Sequence, residues 1–300
     1  MMTGIYHAPS AALRLAVETY YYYAASIPKC TTVSDRLLSE QVNIRFLLEG
    51  NCSVSLLKND FYITPRCLVF GPNSFPTIVS FTGSFRVFGL GISAVGWASL
   101  FDIPLHVLAD DAISLAALIG REDANAITER LQTCHSDVHM AMVMDSFLSQ
   151  RILKRGGMKV SRVVRAIDTA ISTLNINRVE ELATQIDLSQ RQLERVTMEN
   201  FGFSPKMLLR RQRFLRTARA MRHLKQAPWQ DQSVNDYFDQ SHLIREFHRF
   251  AGETPSQLMA RQSPLMDTAF TMQAKIMKRE FRESSVDRVV IDTDAMPLAS

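Results

Sequence analysis

The sequence predicts an α+β protein of two domains, a small antiparallel β-sandwich or barrel with flanking helices followed by an all-α domain. Three observations predict it. Short apolar runs separated by turn residues fill the first third, whereas helical spacing dominates from about residue 93 onward. Gly156-Gly157 interrupts the pattern near the middle. The charge changes sign there too: residues 1–150 carry 9 Lys+Arg against 13 Asp+Glu, and residues 151–262 carry 20 against 11. The net charge of +4 over 300 residues therefore hides an acidic half joined to a basic one. Such asymmetry points to a polyanion held by one domain only. The expected organisation is a regulatory domain over 1–152, a helical domain over 153–262 and a tail over 263–300.

The elements follow in order. Ala11–Tyr23 reads as either a helix or a first strand, and its Tyr20–Tyr23 run as an aromatic wall. The runs Val42–Leu48, Ser53–Leu57, Phe61–Ile63, Leu68–Phe70, Thr77–Phe81 and Phe85–Leu90 read as strands. Gly50-Asn51, Asn59-Asp60, Gly71-Pro72-Asn73 and Gly83 punctuate them. Val95–Phe101, Ile113–Ile119 and Asp123–Ile152 read as helices. Along the last, Ile127, Leu131, Cys134, Val138 and Met142 form one apolar stripe, which either packs on the sandwich or makes a dimer seam. Helices are then expected at Val160–Thr173, Val179–Ile186, Gln190–Asn200, Pro205–Leu224, Gln230–Tyr237, Ser241–Ala251 and Pro255–Ala260. In the tail, Met266–Phe281 reads as helical and Asp292–Ser300 as frayed.

Short helices with three- to four-residue connections suit helix-turn-helix modules. Leu182, Ala183 and Ile186 form the inner face of one helix, Asp187-Leu188 turn the chain, and Ser189 caps the next helix. Leu193 and Val196 of that helix turn inward, which leaves Arg191, Glu194 and Arg195 together on its outward face. Arginine on an exposed face can donate a bidentate pair to guanine O6 and N7, worth about 1–3 kcal/mol of discrimination. Between Lys206 and Lys225 stand eight basic residues and no acid. Eight cations without a carboxylate repel one another unless an external polyanion compensates them, which points to DNA phosphates.

At these residues a resemblance becomes specific. Leu188-Ser189-x-Arg191-Gln192-Leu193-Glu194-Arg195, with Gly202-x-Ser204-Pro205-Lys206, resembles the first helix-turn-helix of the AraC/XylS family of bacterial transcription regulators. Tyr237–Phe247 and Phe250-Ala251-Gly252-x-Thr254-Pro255-Ser256 resemble that family's C-terminal signature. The N-terminal half is more loosely similar to the cupin-like sensor domains of one branch of the family, through Pro9-Ser10, Gly71-Pro72 and Phe85–Leu115. The resemblance implies two helix-turn-helix units joined by a central helix over Pro205–Leu224. It implies base contacts from Arg191, Glu194 and Arg195 in the first unit and from Gln240, Ser241, His242 and Arg245 in the second. The expected phosphate contacts are Ser189, Lys206, Arg210, Arg211 and Arg213.

The sequence departs from the family pattern at three places. Gln232 and Asp236 stand where the pattern has Ala and Gly, and Thr197 stands at an aromatic position. These departures motivate the alternative of a degenerate member that acts as a ligand sensor or protein-interaction adaptor and binds DNA weakly. The expected partner is double-stranded DNA. A small-molecule effector, RNA polymerase and a second copy of the chain are further candidates. Tyr20–Tyr23, Phe46, Phe70, Phe75 and Trp97 are candidate lining for an effector pocket.

Other chemistry finds little support. Four unpaired cysteines (Cys30, Cys52, Cys67, Cys134) suit reduced thiols. Cys134, His135 and His139 lack a third metal ligand, and Gly89-x-Gly91 with Gly96 lacks the context of a nucleotide loop. No nucleophile–base arrangement stands out. The expectation is a protein without enzymatic activity, cofactor or metal. The polar, Pro9-containing stretch Met1–Ala12 and the short apolar run Val87–Phe101 predict neither a signal sequence nor a membrane span. A cytoplasmic, nucleoid-associated protein follows.

Overall fold

The computed structural model describes residues 2–56, 60–61, 66–173, 176–224, 237, 239–263, 265–268 and 287–291. Alternation of side chains along strands organises its N-terminal half. β1 (Met2–His7) pairs antiparallel with β2 (Val17–Ala25), and a single 3₁₀ turn at Ala11–Leu13 lies between them. β3 (Thr32–Leu37), β4 (Val42–Ser55), β5 (Asp60–Phe61), β6 (Cys67–Phe70) and β7 (Thr77–Ile92) follow.

Every pairing is antiparallel, and β4 and β7 run side by side from Val42↔Ile92 to Ser55↔Ile78. These two long strands each absorb two of the short runs expected from the sequence. Gly50 (φ 90°) and Gly83 (φ 70°) are therefore not hairpin turns. They are kinks within continuous strands, at backbone angles that glycine tolerates and other residues rarely adopt. The kinks let β2 and β3 occupy the same edge of β7 in succession, Ala25 opposite Phe85 and Thr32 opposite Thr82.

Four strands were not expected, among them β8 (Ala112–Ser114), which takes the start of a stretch read as helix. β1 lies in the stretch read as polar, because Ile5, Tyr6 and His7 are all buried. β3 was not read at all. β9 (Asp287–Ile291) comes from the tail and pairs with β1. The tail beyond Thr268 is otherwise outside the described residues, so the expected Met266–Phe281 helix cannot be followed past that point, and Asp292–Ser300 lies wholly outside them.

The sheet has two buried faces. Tyr20, Ile44, Phe46, Phe88 and Leu90 point to one, where helices cover them. These helices are α1 (Ala94–Leu100), α2 (Leu115–Ile119, after the short β8 at Ala112–Ser114), α3 (Arg121–Gln132) and α4 (Asp137–Lys154). The single helix expected over Asp123–Ile152 is thus two, because Ser136 caps a new start by accepting from the His139 amide. The break splits the apolar stripe. Ile127, Leu131 and Cys134 enter the core, while Val138 and Met142 stay 47% and 65% exposed. Tyr20 Oη donates to Asp145 at 2.5 Å, tying α4 to β2.

On the other face Tyr21, Tyr23, Val54, Phe70, Phe81 and Phe85 meet across the curled sheet. Gly156 and Gly157, both at positive φ, then lead into the helical domain. Arg155 and Lys159 both pair with Asp102 and fasten this linker to the end of α1. Asp102's carboxyl is held below the usual range by these two cations.

α5 (Arg162–Thr173), α6 (Val179–Ile186) and α7 (Gln190–Phe201) form the first small core around Ile167, Leu182 and Leu193. α8 (Pro205–Leu224) contributes Leu208 and Leu209 to that core. Further along it gives Phe214, Ala218 and Met221 to a second one, shared with α9 (Gln240–Ala251) and α10 (Pro255–Ala260). Phe214 packs edge-on against Phe247 and face-on against Phe250, with centroids 5.0 and 5.2 Å away. One helix of about 30 Å therefore carries half of each core. The expected Gln230–Tyr237 helix, with Gln232 and Asp236, lies outside the described residues apart from Tyr237. No described helix is long and apolar enough to cross a membrane.

Candidate nucleic-acid interface

α6 ends at Asp187, whose left-handed φ of 56° makes the tight turn that leads to Ser189. Ser189 and Gln192 close a capping box, each side chain accepting from the other residue's backbone N–H. Two otherwise orphaned helix donors are satisfied this way, and the start of α7 is fixed. Leu193, Thr197 and Phe201 face inward. Thr197, at the departure from the family pattern, is fully buried and donates to the Glu194 carbonyl at 3.1 Å. Arg191, Glu194 and Arg195 are exposed together on the opposite face. Gly202, at φ 79°, ends the helix against Pro72 of the N-terminal domain.

The second unit repeats the device. Asp239 accepts from the His242 amide at 2.6 Å and starts α9. Gln240, Ser241 and Arg245 are exposed, and half-buried His242 packs edge-on against Tyr237 at 5.5 Å. Thr254 and Gln257 form another capping box at α10. The structure thus brings the expected base-facing residues onto the outer faces of two capped helices, with His242 turned partly inward.

The basic run is more divided. Lys206 is exposed at the start of α8 and Ser189 is exposed at the start of α7. Arg210 instead grips Glu246 of α9 through Nε and Nη2, and Arg213 Nη2 lies 3.9 Å from the same carboxylate. Glu246 is only 2% exposed. Arg222 pairs with Asp267 and donates to the carbonyls of Leu258 and Arg261.

Arg211 is buried between the domains, where its Nη1 donates to the Glu40 carbonyl at 3.3 Å. Burial lowers its guanidinium to about 10, which Glu18, Asp110 and Asp168 oppose. The premise that this run lacks compensating carboxylates is therefore corrected: Glu246 and Asp267 supply them from outside the run. Arg211 is corrected as a phosphate contact in this arrangement, since its guanidinium lies against the N-terminal domain.

Sequence reasoning also missed the contacts that dock the second unit on the N-terminal domain. Arg36 donates to the Ala251 and Gly252 carbonyls, and Arg249 lies over the Phe75 ring at 4.7 Å. Buried Asp35 accepts from Arg261 at 2.8 Å, from the Leu265 amide at 3.0 Å and from Ser263. Of the residues read as pocket lining, Tyr21, Tyr23 and Phe70 border a cavity inside the curled sheet. Tyr20, Phe46 and Trp97 belong to the helix-covered core, and Phe75 lies under Arg249. Cys134 is buried with its thiol toward the Arg130 carbonyl, while His135 and His139 are exposed.

Residues 182–261 match the sequence model of a helix-turn-helix domain. The resemblance to AraC/XylS regulators accordingly holds for this C-terminal span. No curated protein matches the chain. Among solved structures, the chain is similar to ToxT from Vibrio cholerae, at 13% identity over 80% of this chain and 97% of that one, with a TM-score of 0.44. It is similar to unsaturated fatty acid-bound wild-type ToxT from Vibrio cholerae strain SCE256, at 14% identity over 80% and 94%, with a TM-score of 0.45. It is also similar to the AraC-like transcriptional activator CuxR, at 11% identity over 70% and 85%, with a TM-score of 0.26.

Proposed function

We propose that this chain is a sequence-specific DNA-binding transcription regulator, in which α7 and α9 read successive stretches of the major groove. The observation that carries the reading is the pair of capped helices within the helix-turn-helix span. Each turns its apolar side to a core and its hydrogen-bonding side chains outward. Arg191, Arg195 and Arg245 suit guanine, Gln240 suits adenine, and Glu194 can accept from cytosine N4. Ser189 and Lys206 are the phosphate contacts this reading retains, while Arg210 and Arg213 serve chiefly to hold α8 against α9.

The N-terminal domain, 1–152, acts as a regulatory module through effector binding, self-association or both. Its docking on α8, α9 and the segment after α10 provides the route by which it biases the DNA-binding domain. Contact with RNA polymerase at a promoter, and a cytoplasmic place on the nucleoid, follow from such a role. Nothing in this reading requires a catalytic step.

The test is a gel shift of the full chain on its own upstream DNA across a salt series. A specific complex that weakens steeply with salt, and is lost in Arg195→Ala without loss of helicity, is expected. Micromolar, sequence-indifferent binding would favour the adaptor reading instead. The internal ion pairs of the basic run are the observation that favours that alternative.

A further inference from the structure

Past α10 the chain turns back onto the N-terminal domain, and adjacent residues there serve different cores. Leu265 is buried in the curled sheet with Met2 and Tyr23. Met266, the next residue, is buried in the second helix-turn-helix unit with Phe214 and Phe247. Thr268 lies against Gly4 of β1, where an added Cβ would come within 3.2 Å of its methyl group. β9 then pairs with the edge of β1 that β2 leaves open, from Met2↔Ile291 to Tyr6↔Asp287.

A buried acid fastens this crossing. Asp35 of β3, whose side chain has no exposed surface, accepts from the Arg36 and Leu265 amides, from Arg261 Nη1 and from Ser263. Arg261 carries the connection onward through Nε to Glu253, just past the Gly252 stop of α9. From the other side, Arg222 of α8 holds Asp267 and the carbonyls of Leu258, Met259 and Arg261. Charge-assisted bonds therefore tie the segment after α10 to both domains.

The same crossing withholds cations from a polyanion. All three guanidinium nitrogens of Arg261 are engaged, by Glu253, Asp35 and the Arg36 carbonyl. Arg249 lies over Phe75 with Nη2 3.4 Å from the Ser74 hydroxyl. The acidic half of the chain thus competes with phosphate for charges on the basic half.

We propose that the tail is an autoinhibitory strap. Leu265–Thr268 and β9 hold the second helix-turn-helix unit against the N-terminal domain, and release of the strap frees that unit, with Arg249 and Arg261, for DNA. The inference rests on the DNA-binding reading and adds the element that restrains it and the sign of its effect. β9 is the end that opens first, since a five-residue strand bonded along one edge is held less firmly than the Asp35 clasp.

Two full-length variants open the strap at different places. Val289→Pro with Val290→Pro removes two adjacent N–H groups, one of which must point to β1 because donors alternate in direction along a strand. Asp35→Asn keeps the shape of the clasp and withdraws its charge. Hydrogen exchange over Arg261–Thr268 reports docking without DNA, and gel shifts on DNA upstream of the chain's own coding sequence report binding. Both variants are expected to exchange at least about tenfold faster there. Both should bind that DNA at least about fivefold more tightly, because the competent fraction rises. The salt slope should steepen by about 0.9 for each cation recovered.

A reversible lock covers the case in which a variant does not fold. Thr3→Cys with Val290→Cys joins Cα partners of the β1–β9 ladder, at a separation that suits a disulfide, in a Cys30→Ser background. Diamide should close it and weaken DNA binding at least about fivefold, and dithiothreitol should restore binding. Failure to cross-link, or exchange unchanged in both opened variants, overturns the strap. Faster exchange with equal or weaker DNA binding, or a locked protein that binds as tightly as the reduced one, overturns its inhibitory role. DNA left unbound by every form would sink the DNA-binding reading and inhibition together, while exchange still decides whether the strap holds the unit.

Discussion

Arg210 of the central helix clasps Glu246 of the second recognition helix, with Nε 3.2 Å from both carboxylate oxygens and Nη2 2.5 Å from Oε1. Glu246 lies on the inward side of α9, turned away from exposed Gln240, Ser241 and Arg245. The pair therefore fixes the angle between the helix that spans both cores and one of the two helices it must present. A cation that looked available for phosphate is spent on aligning the reading heads.

Removing the acid should expose this role. Glu246→Ala leaves two guanidinium groups beside an apolar core with no carboxylate. The expected loss is about 3 kcal/mol, at the low end for breaking a buried pair because Arg210 is 30% exposed. Urea unfolding measures it. A loss below about 0.5 kcal/mol, the level of an ordinary surface change, would remove the pair from the account.

Caps and reading residues should separate cleanly in the first unit. Ser189→Ala deletes the capping box and should cost about 1 kcal/mol of stability. Arg191→Ala, on the exposed face, should change stability by less than about 0.5 kcal/mol and still weaken DNA binding. Urea midpoints and gel shifts on the same two variants test the separation.

Lys206 and Arg195 should differ in kind. Lys206→Ala removes a phosphate contact, so the slope of log affinity against log salt should become shallower by about 0.9, with weakening similar on all sequences. Arg195→Ala should relax preference at one base pair by about 1–3 kcal/mol and leave the salt slope nearly as it was.

The cysteines should report the two faces of the sheet. Cys30 is exposed and Cys67 is buried with its thiol pushed well above the usual range by desolvation. Burial also raises Cys134. Alkylation followed by mass spectrometry should modify Cys30 first and half-buried Cys52 next, and reach Cys67 and Cys134 only on unfolding.

Much of the helical domain was legible because its boundaries are written locally. Ser189 with Gln192, Gly202 with Pro205, and Thr254 with Pro255 are cap chemistry that a short window of sequence contains. The α6, α7, α8 and α10 boundaries therefore came within one or two residues of those read from the sequence. The sheet was less legible for the converse reason. Gly50 and Gly83 look like hairpin turns, and only the long β4–β7 register makes them kinks.

Long-range pairs left no local trace at all. Glu246 lies 36 residues from Arg210, and Asp35 lies 226 residues from Arg261. The compensation of the basic run and the docking of the second unit were therefore invisible beforehand. Arg191, Glu194 and Arg195 share the exposed face of α7 that their spacing implied, whereas His242 of α9 turns partly inward against Tyr237.

The measurement that tests the central claim most directly is genome-wide mapping of DNA bound by the full chain, compared with Arg195→Ala and Arg245→Ala. The account predicts a reproducible motif of two blocks about one helical turn, or roughly 10 base pairs, apart. Arg195→Ala should relax one block and Arg245→Ala the other. Bound fragments without a common motif, or one motif unchanged in both variants, would contradict the claim that these two helices read sequence.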